Sequence, residues 1–449
     1  MNGDEGRSPR GPRQLLWFSH LVPYPPTGGA LQRSFNLIRQ LSRTYQISLV
    51  AFNLQGDSGT HLREYSHELK KYCDEVDVWE LPVRWRSTRW WTRLLFSPLF
   101  PDPYTCRAFW SRDLLVRWRQ TLRAHREALL HFDSPDLALF MPAASGFRKV
   151  LNHHNCESMM ARRRAQQEGN PLKRAYLASL WRKLANLESN MGPRVDVNIV
   201  VSDVDARVLH ETSPAAHIHV VENGTDSNYF QPLDKPQDPT SLIFVGSLDW
   251  YPNISAIQLL VRQIWPLVKA RRPEARLYIV GKSPSKSLSR WLTSNPGVDV
   301  VANPADVRPW LARATVFVCP IVDGGGTRLK ILDALAAGKA VVSTTIGCEG
   351  LRVKPGTNIL IADSHEDFAR ETVRVLDSDS LRRELGAAGR SLVETAYTWE
   401  IIAGRLEQAY GCALNPDACA SRRAEKRKTL GDAETSDSSR PTPRPTDPP

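Results

Sequence analysis

The sequence predicts an α/β protein of doubly wound parallel sheets, and three observations predict it. Short apolar, β-branched runs alternate with longer stretches of helical periodicity along most of the chain. Glycine clusters stand twice where a strand passes into a helix, at Gly28-Gly29 and at Gly324-Gly325-Gly326. Residues 231–240 (QPLDKPQDPT) are rich in proline and poor in apolar residues, which suits a linker between two units. The 449 residues suffice for two or three domains.

The elements follow in order. Residues 1–13 are polar and predict a disordered tail. Leu15–Ser19 is the first strand. A proline-rich turn ends in Gly28-Gly29, and a helix from about Ala30 follows, with Leu37, Ile38 and Leu41 as its apolar stripe. Gln46–Phe52, Val76–Leu81, Ala128–Phe132 and Lys149–Asn152 read as further strands. Helical periodicity covers 157–191, interrupted at Asn170-Pro171. Beyond the break, Leu172, Tyr176, Leu180, Leu184 and Leu187 form the predicted apolar stripe. Val197–Ser202 is a strand, and Ser202-Asp203 caps the next helix. That cap accounts for Asp203-Val204-Asp205 without a metal.

In the second half, Leu242–Gly246, Arg276–Gly281 and Val298–Val301 are strands, with a helix through Ile257, Leu260, Ile264, Leu267 and Val268 after the first. Val316–Val318 is a buried strand ended by Pro320. The three glycines let the backbone turn sharply and approach a ligand. Leu329, Leu332, Ala336 and Ala337 recur at helical spacing, Gly338 suits the residue past a helix end, and Ala340–Ser343 is the next strand. Such a layout aims N–H groups and a helix N-terminus at one point, which suits an anion, and Arg328 and Lys330 add charge beside it. An ordinary strand–turn–helix with solvated cations has the same spacing. Two helices, Glu366–Leu376 and Leu381–Val393, precede one from Tyr397 to about Tyr410. Residues 413–449 are polar and predict a second disordered tail.

Composition narrows the class. No apolar run is long enough to cross a membrane, and the first residues lack the apolar core of a secretory signal. The seven cysteines are scattered without a CxxC pair. They predict reduced thiols in a cytoplasm and argue against a disulfide framework or a structural zinc. The net charge of +11 fits anionic substrates, anionic membranes or nucleic acid. Within residues 84–119, Arg84, Arg86, Arg89 and Arg93 alternate with Trp85, Trp90, Trp91, Phe96 and Phe100, and the mixture continues through Trp110, Arg112, Arg117, Trp118 and Arg119. Two readings stand: docking on an anionic membrane surface, or a helical segment that packs its aromatics and exposes its arginines. Nucleic acid would use the same features and is the weakest reading; no nucleic-acid partner is expected.

The stretch from Val316 to Leu351 resembles the donor-site signature of the family 4 glycosyltransferases, which have the GT-B fold. The run Leu335-Ala336-Ala337-Gly338-Lys339-Ala340-Val341-Val342 is similar to the family's Ala-x-Gly-x-Pro-Val-Val. Asp333 stands where the family has its second glutamate, and the first would fall on Gly325. The Gly-Gly-Thr-Arg-Leu-Lys run resembles a subgroup in which cations take over phosphate binding, as in polysaccharide-assembly sugar transferases. Glu222-Asn223-Gly224-Thr225-Asp226 is similar to the segment before the family's interdomain link. The His-Asn-x-Glu run places His154 nearest the family's cleft histidine. The loop Gly246-Ser247-Leu248-Asp249-Trp250 lacks the family's arginine.

The resemblance implies two Rossmann-like domains facing across a cleft. These are an acceptor-side domain over 14–230, a nucleotide-sugar domain over 241–395, and a closing segment over 396–412 that crosses back. It implies a retaining transfer from a nucleotide-diphosphate sugar to a saccharide or lipid-linked acceptor, in polysaccharide or glycolipid assembly. His154, Arg328 and Lys330 would act in catalysis. Gly28, Gly29, Gly246, Gly281, Gly324, Gly325, Gly326, Thr327 and Asp333 would bind the donor. Neither metal nor cofactor is expected, and the protein would be cytoplasmic, docking through residues 84–119 on the inner membrane face. A GT-B-like epimerase or phosphorylase, and a non-catalytic GT-B-like membrane- or partner-binding protein, are the alternatives.

Overall fold

The computed structural model describes residues 13–54, 56–82, 87–234, 237–417 and 419. Arg84, Trp85 and Arg86, and nearly all of both expected tails, lie outside the described residues. Seven strands form the first sheet: β1 (Arg13–Ser19), β2 (Tyr45–Phe52), β3 (Glu75–Trp79), β4 (Leu129–Phe132), β5 (Lys149–Asn152), β6 (Val197–Val200) and β7 (Ile218–Val220). Their order is β3-β2-β1-β4-β5-β6-β7, every pair parallel. The second sheet holds β8 (Ser241–Val245), β9 (Arg276–Gly281), β10 (Val298–Ala302), β11 (Val316–Cys319), β12 (Ala340–Ser343) and β13 (Leu360–Ile361). Its order is β10-β9-β8-β11-β12-β13, again all parallel.

Helices cover both faces of each sheet, so the central strands are apolar along their whole length. All four residues of β11 and of β12 are buried. Strand order reverses between β1 and β4, and between β8 and β11. At such a switch point the connecting loops diverge and leave a crevice beyond the strands' carboxyl ends. Both crevices open on the same cleft.

The helix Trp399–Leu414 leaves the second unit and packs on the first. Ile402, Leu406 and Tyr410 are fully buried in one core cluster with Leu15, Trp17, Val197 and Ile199. At about 1.5–3 kcal/mol per large apolar side chain, this return ties the two units firmly together.

The structure bears on three sequence expectations. Leu172 is 82% exposed, and the buried apolar positions of helix Pro171–Met191 are Leu177, Leu184 and Met191, of which Leu184 belongs to the expected stripe. Pro171 starts that helix, so Leu172 belongs to a first turn that projects past its neighbours. Trp118 is fully buried and stacks on Phe18 at 4.2 Å, which fits the reading in which this segment packs its aromatics. Cys412 and Cys419 form a disulfide across a separation of seven residues. The remaining five cysteines are buried free thiols. The pair was overlooked because its partners lie a helix turn and a short loop apart, a spacing with no CxxC signature.

Candidate active site

The cleft holds a cavity of about 620 Å³ lined from both units. Its floor on the second unit is the loop between β11 and the helix Leu329–Ala336. Gly324 and Gly326 take φ of 105° and 67°, left-handed values that favour glycine. Gly325 needs its bare backbone for another reason, because a Cβ there would strike Met160 of helix Glu157–Gln167. Gly326 is packed the same way against Asn155. The loop is therefore shaped by a helix of the other unit as much as by its own sequence.

The two cations of this loop divide their roles. Arg328 is buried, and its guanidinium donates to the carbonyls of Gly325 and Gly326, and to that of Asp323 at 3.3 Å. It staples the loop from within while still lining the cavity. Lys330 Nζ donates to Asn253 Oδ1 at 2.6 Å and lies over Gly246, where a Cβ would collide with it. Burial pulls the Lys330 ammonium down to about 8. Gly281 is required for a different contact, since any Cβ there would meet the Gly246 carbonyl. Asp333, one helical turn beyond Lys330, accepts from Thr225 Oγ1 at 2.6 Å. Burial pushes its carboxyl up to about 7 against that hydrogen bond.

The opposite wall is assembled from strand ends. His154, two residues past β5, places Nε2 3.2 Å from Asp133 Oδ1. Asp133 directly follows β4 and is fully buried. It accepts from Ser34 Oγ at 2.6 Å, Asn152 Nδ2 at 2.9 Å and Ser19 Oγ at 3.1 Å. Burial works to raise its carboxyl, but the charge of His154 and hydrogen bonds from His131 and His154 outweigh that and hold it well below the usual range. His131 in turn is 2.8 Å from the Tyr410 hydroxyl of the returning helix. His153, adjacent to His154, points the other way and pairs with Asn198 at 3.2 Å. His20 lies beside His154, their rings 5.5 Å apart, and burial pulls its imidazole down to about 4.

Nitrogen and oxygen atoms of His20, Asp133 and His154 lie within 4.8 Å of one another. Of these three residues only His154 is named from the sequence. Three strand ends converge here, which spacing along one segment cannot show.

Contacts across the cleft are specific. Arg163 makes a two-pronged ion pair with Glu349, at 2.7 and 2.8 Å, and donates to Gly324 O at 2.9 Å. Asn223 Nδ2 donates to Thr327 Oγ1 at 2.7 Å. Arg33, fully buried, gathers the Val221 and Glu222 carbonyls with the side-chain oxygens of Asn223 and Asn152. It fixes the Glu222–Asp226 segment relative to β5.

Of the sequence-named residues, His154, Arg328, Lys330, Gly28, Gly29, Gly246, Gly281, Gly324, Gly325, Thr327 and Asp333 all line this one cavity. Gly326 stands behind it, against Asn155. Sequence reading missed Asp133, His20, Arg33 and Arg163. For the first two a signal existed: polar residues immediately after parallel strands at the order reversal.

Two family descriptions match in succession, "Glycosyltransferase Family 4" over residues 27–229 and "Glycosyl transferases group 1" over 239–378. A GDP-mannose-dependent monoacylated alpha-(1-6)-phosphatidylinositol monomannoside mannosyltransferase of Corynebacterium glutamicum is 29% identical over 237 residues, 48% of this chain and 62% of that protein. The chain thus spans under two thirds of that relative. Alpha-maltose-1-phosphate synthase of Mycolicibacterium smegmatis is 27% identical over 387 residues, 79% of this chain and 95% of that protein. Among solved structures, sucrose-phosphate synthase from Thermosynechococcus elongatus superposes with a TM-score of 0.66 at 19% identity, covering 90% of this chain and all of the other. At that identity the likeness shows the fold. With matching domains in both halves and facing parallel sheets, the chain belongs to the family 4 glycosyltransferases of GT-B fold.

Proposed function

We propose that the chain is a retaining glycosyltransferase that takes its sugar from a nucleotide-diphosphate donor. The observation that carries this reading is one cavity in which the Lys330 ammonium and the glycine loop face His154 across the cleft. Departure of a nucleoside diphosphate builds negative charge, and fixed cations and N–H groups stabilise it without rearranging. Lys330 is the cation placed to touch the diphosphate. Arg328 holds the loop's N–H groups in position and adds charge behind them. Asp333 would accept from ribose hydroxyls, and His154, oriented by Asp133, would meet the sugar. The attacking hydroxyl enters on the face the leaving group vacates, with no protein nucleophile assigned.

The acceptor is a saccharide or lipid-linked group reached from the 14–230 side, and the 241–395 side holds the donor. Closure of the two sides, steadied by Arg163 and Glu349, would limit donor hydrolysis. Exposed Trp91, Phe96 and Leu99 favour an acceptor presented at a membrane surface.

Thermal unfolding with UDP, GDP, ADP and their sugars tests the donor site, for wild type and Lys330→Ala. GDP enters first, because the corynebacterial relative is named as GDP-mannose-dependent. A ligand at about 100 times its Kd stabilises by about 2.7 kcal/mol, a shift of several degrees. One base should give that shift in wild type and none in Lys330→Ala. No shift with any nucleotide would sink the reading.

A further inference from the structure

A second cavity, of about 650 Å³, lies apart from the cleft on the first unit. Its walls come from the helices Thr88–Leu95, Tyr104–Phe109 and Arg112–Ala124 and the turns between them. Trp90, Leu94, Phe100, Tyr104, Trp110 and Leu139 supply most of the apolar surface. This volume falls within the usual range for small-ligand sites, and so does the lining of aromatic and aliphatic groups with a few polar ones. Nothing in the donor chemistry uses it.

The surface around its mouth is unusual in the same direction. Trp91 is 55% exposed, Phe96 53% and Leu99 77%. Phe100 belongs both to the exposed set and to the cavity wall. Helix Pro171–Met191, which carries exposed Leu172 near its start, meets this region at Ser97, whose Oγ lies 3.4 Å from the Tyr176 hydroxyl and whose carbonyl accepts from Lys183 at 2.6 Å. Scattered exposed apolar residues are ordinary, but a cluster around an apolar cavity marks a binding surface. Cations accompany it. Arg107 and Arg112 stand on the cavity wall, and exposed Lys173 and Arg174 follow Leu172. Asp102, the one carboxylate on the wall among the described residues, lies 3.8 Å from Arg107. The Arg107 guanidinium also lies 3.9 Å from the Phe100 ring centre, at the boundary between apolar lining and solvent.

We infer that this cavity seats one hydrocarbon tail of a phosphate-bearing membrane lipid, with Arg107 and Arg112 at the headgroup. The charge of the wall selects an anionic lipid, and the flanking tryptophan and phenylalanine suit the interfacial layer. The described residues contain no helix long and apolar enough to span a membrane, so a seated tail would hold the chain at a surface without insertion. The inference rests on the proposed transfer to a lipid-linked acceptor only in naming what the tail belongs to; the seat itself stands on the cavity.

The test uses three probes below their micelle concentrations: dodecyl phosphate, dodecyl maltoside and butyl phosphate. Titration calorimetry on the full chain should show one-to-one binding of dodecyl phosphate. Dodecyl maltoside, without the charge, should bind at least fivefold more weakly, and butyl phosphate, without the tail, should not bind. Ala108→Trp fills the cavity and should lower dodecyl phosphate affinity at least tenfold. Arg112→Glu, on an exposed residue, should reduce affinity for the phosphate probe and spare the maltoside, which covers the case of a misfolded filling variant. Equal binding by wild type and both variants, or no one-to-one binding, overturns the proposal. So does concentration-dependent dimerisation abolished by Leu99→Asp, which would assign the face to a second copy. Nucleotide-induced thermal shifts should survive Ala108→Trp, and dodecyl phosphate binding should survive Lys330→Ala. Failure of the tail site and failure of the donor site therefore give different results.

Discussion

The two walls of the cleft reach their geometry by opposite means. The Lys330 wall is local in sequence: glycine loop, arginine staple, lysine and Asp333 all lie within residues 323–333, supported from outside by Asn253 and Gly246 and, from the other unit, by Met160, Asn155 and Thr225. The His154 wall is convergent. It draws Ser19 from the end of β1, Ser34 from the first helix, Asp133 from after β4 and Asn152 from β5 onto one buried carboxylate. A local wall can change one residue and keep its shape. A convergent wall shares a single charge among several donors, so its chemistry and its folding are coupled.

The largest expected effect sharpens that contrast on the local side. Lys330→Ala should lower transfer by about 10²–10³-fold, the usual cost of a donor aimed at developing charge. The unfolding midpoint of the empty protein should barely fall, because the substitution removes a buried ammonium whose charged form is disfavoured. Steady-state kinetics and thermal unfolding of the same preparation check both halves. A large fall in stability with little change in transfer would make Lys330 a packing residue.

On the convergent side, Asp133→Asn should cost about 2–4 kcal/mol of stability, since buried donors and His154 lose a shared anion. The Asp133 carboxyl sits below its unfolded value, so its contribution is present above about pH 4 and is lost as pH falls through the folded pKa. Urea denaturation should show the wild-type advantage over Asp133→Asn shrinking in acid. An advantage that is constant down to pH 2 would mean the carboxylate carries no special charge coupling.

The same contrast explains what was legible in the sequence. Val316 to Ser343 is one contiguous segment, so its strand, turn, helix and strand could be read from periodicity and glycine placement, and the structure has all four. His154 was reachable because the family resemblance marks a histidine after that strand. Asp133 was not, because its importance comes from donors far apart in sequence. The Arg328 expectation was incomplete for a related reason: a formal charge in a loop does not say whether its guanidinium faces a ligand or the loop's own carbonyls. The strand that ends at Phe132 was read correctly, and the residue after it was passed over.

A third prediction concerns pH. In the empty protein burial pulls Lys330 down to about 8, and a bound diphosphate would raise it. Binding above pH 8 therefore requires proton uptake, and nucleoside diphosphate affinity should fall by up to about tenfold per pH unit until the bound value is reached. Calorimetry in two buffers of different ionisation enthalpy at pH 8.5 should register that uptake. Lys330→Arg, which keeps a cation that does not titrate in this range, should show none, and uptake that persists there would locate the titrating group elsewhere.

The smallest effect lies between the walls. Arg163 reaches Glu349 with two hydrogen bonds and the Gly324 carbonyl with a third, and both charged side chains are about a quarter exposed or less. The pair does not touch the proposed reacting atoms, so it acts on the position of one wall relative to the other. Partial solvent screening limits its coupling to about 1 kcal/mol. Arg163→Ala should therefore raise the donor KM about three- to tenfold and leave the unfolding midpoint nearly unchanged. A double-mutant cycle with Glu349→Ala isolates the pair, because each single substitution removes the same ion pair. If the two effects simply add, the contact is a by-product of closure. If the double variant is no worse than either single one, the ion pair helps set the spacing at which the local wall and the convergent wall can work on one substrate.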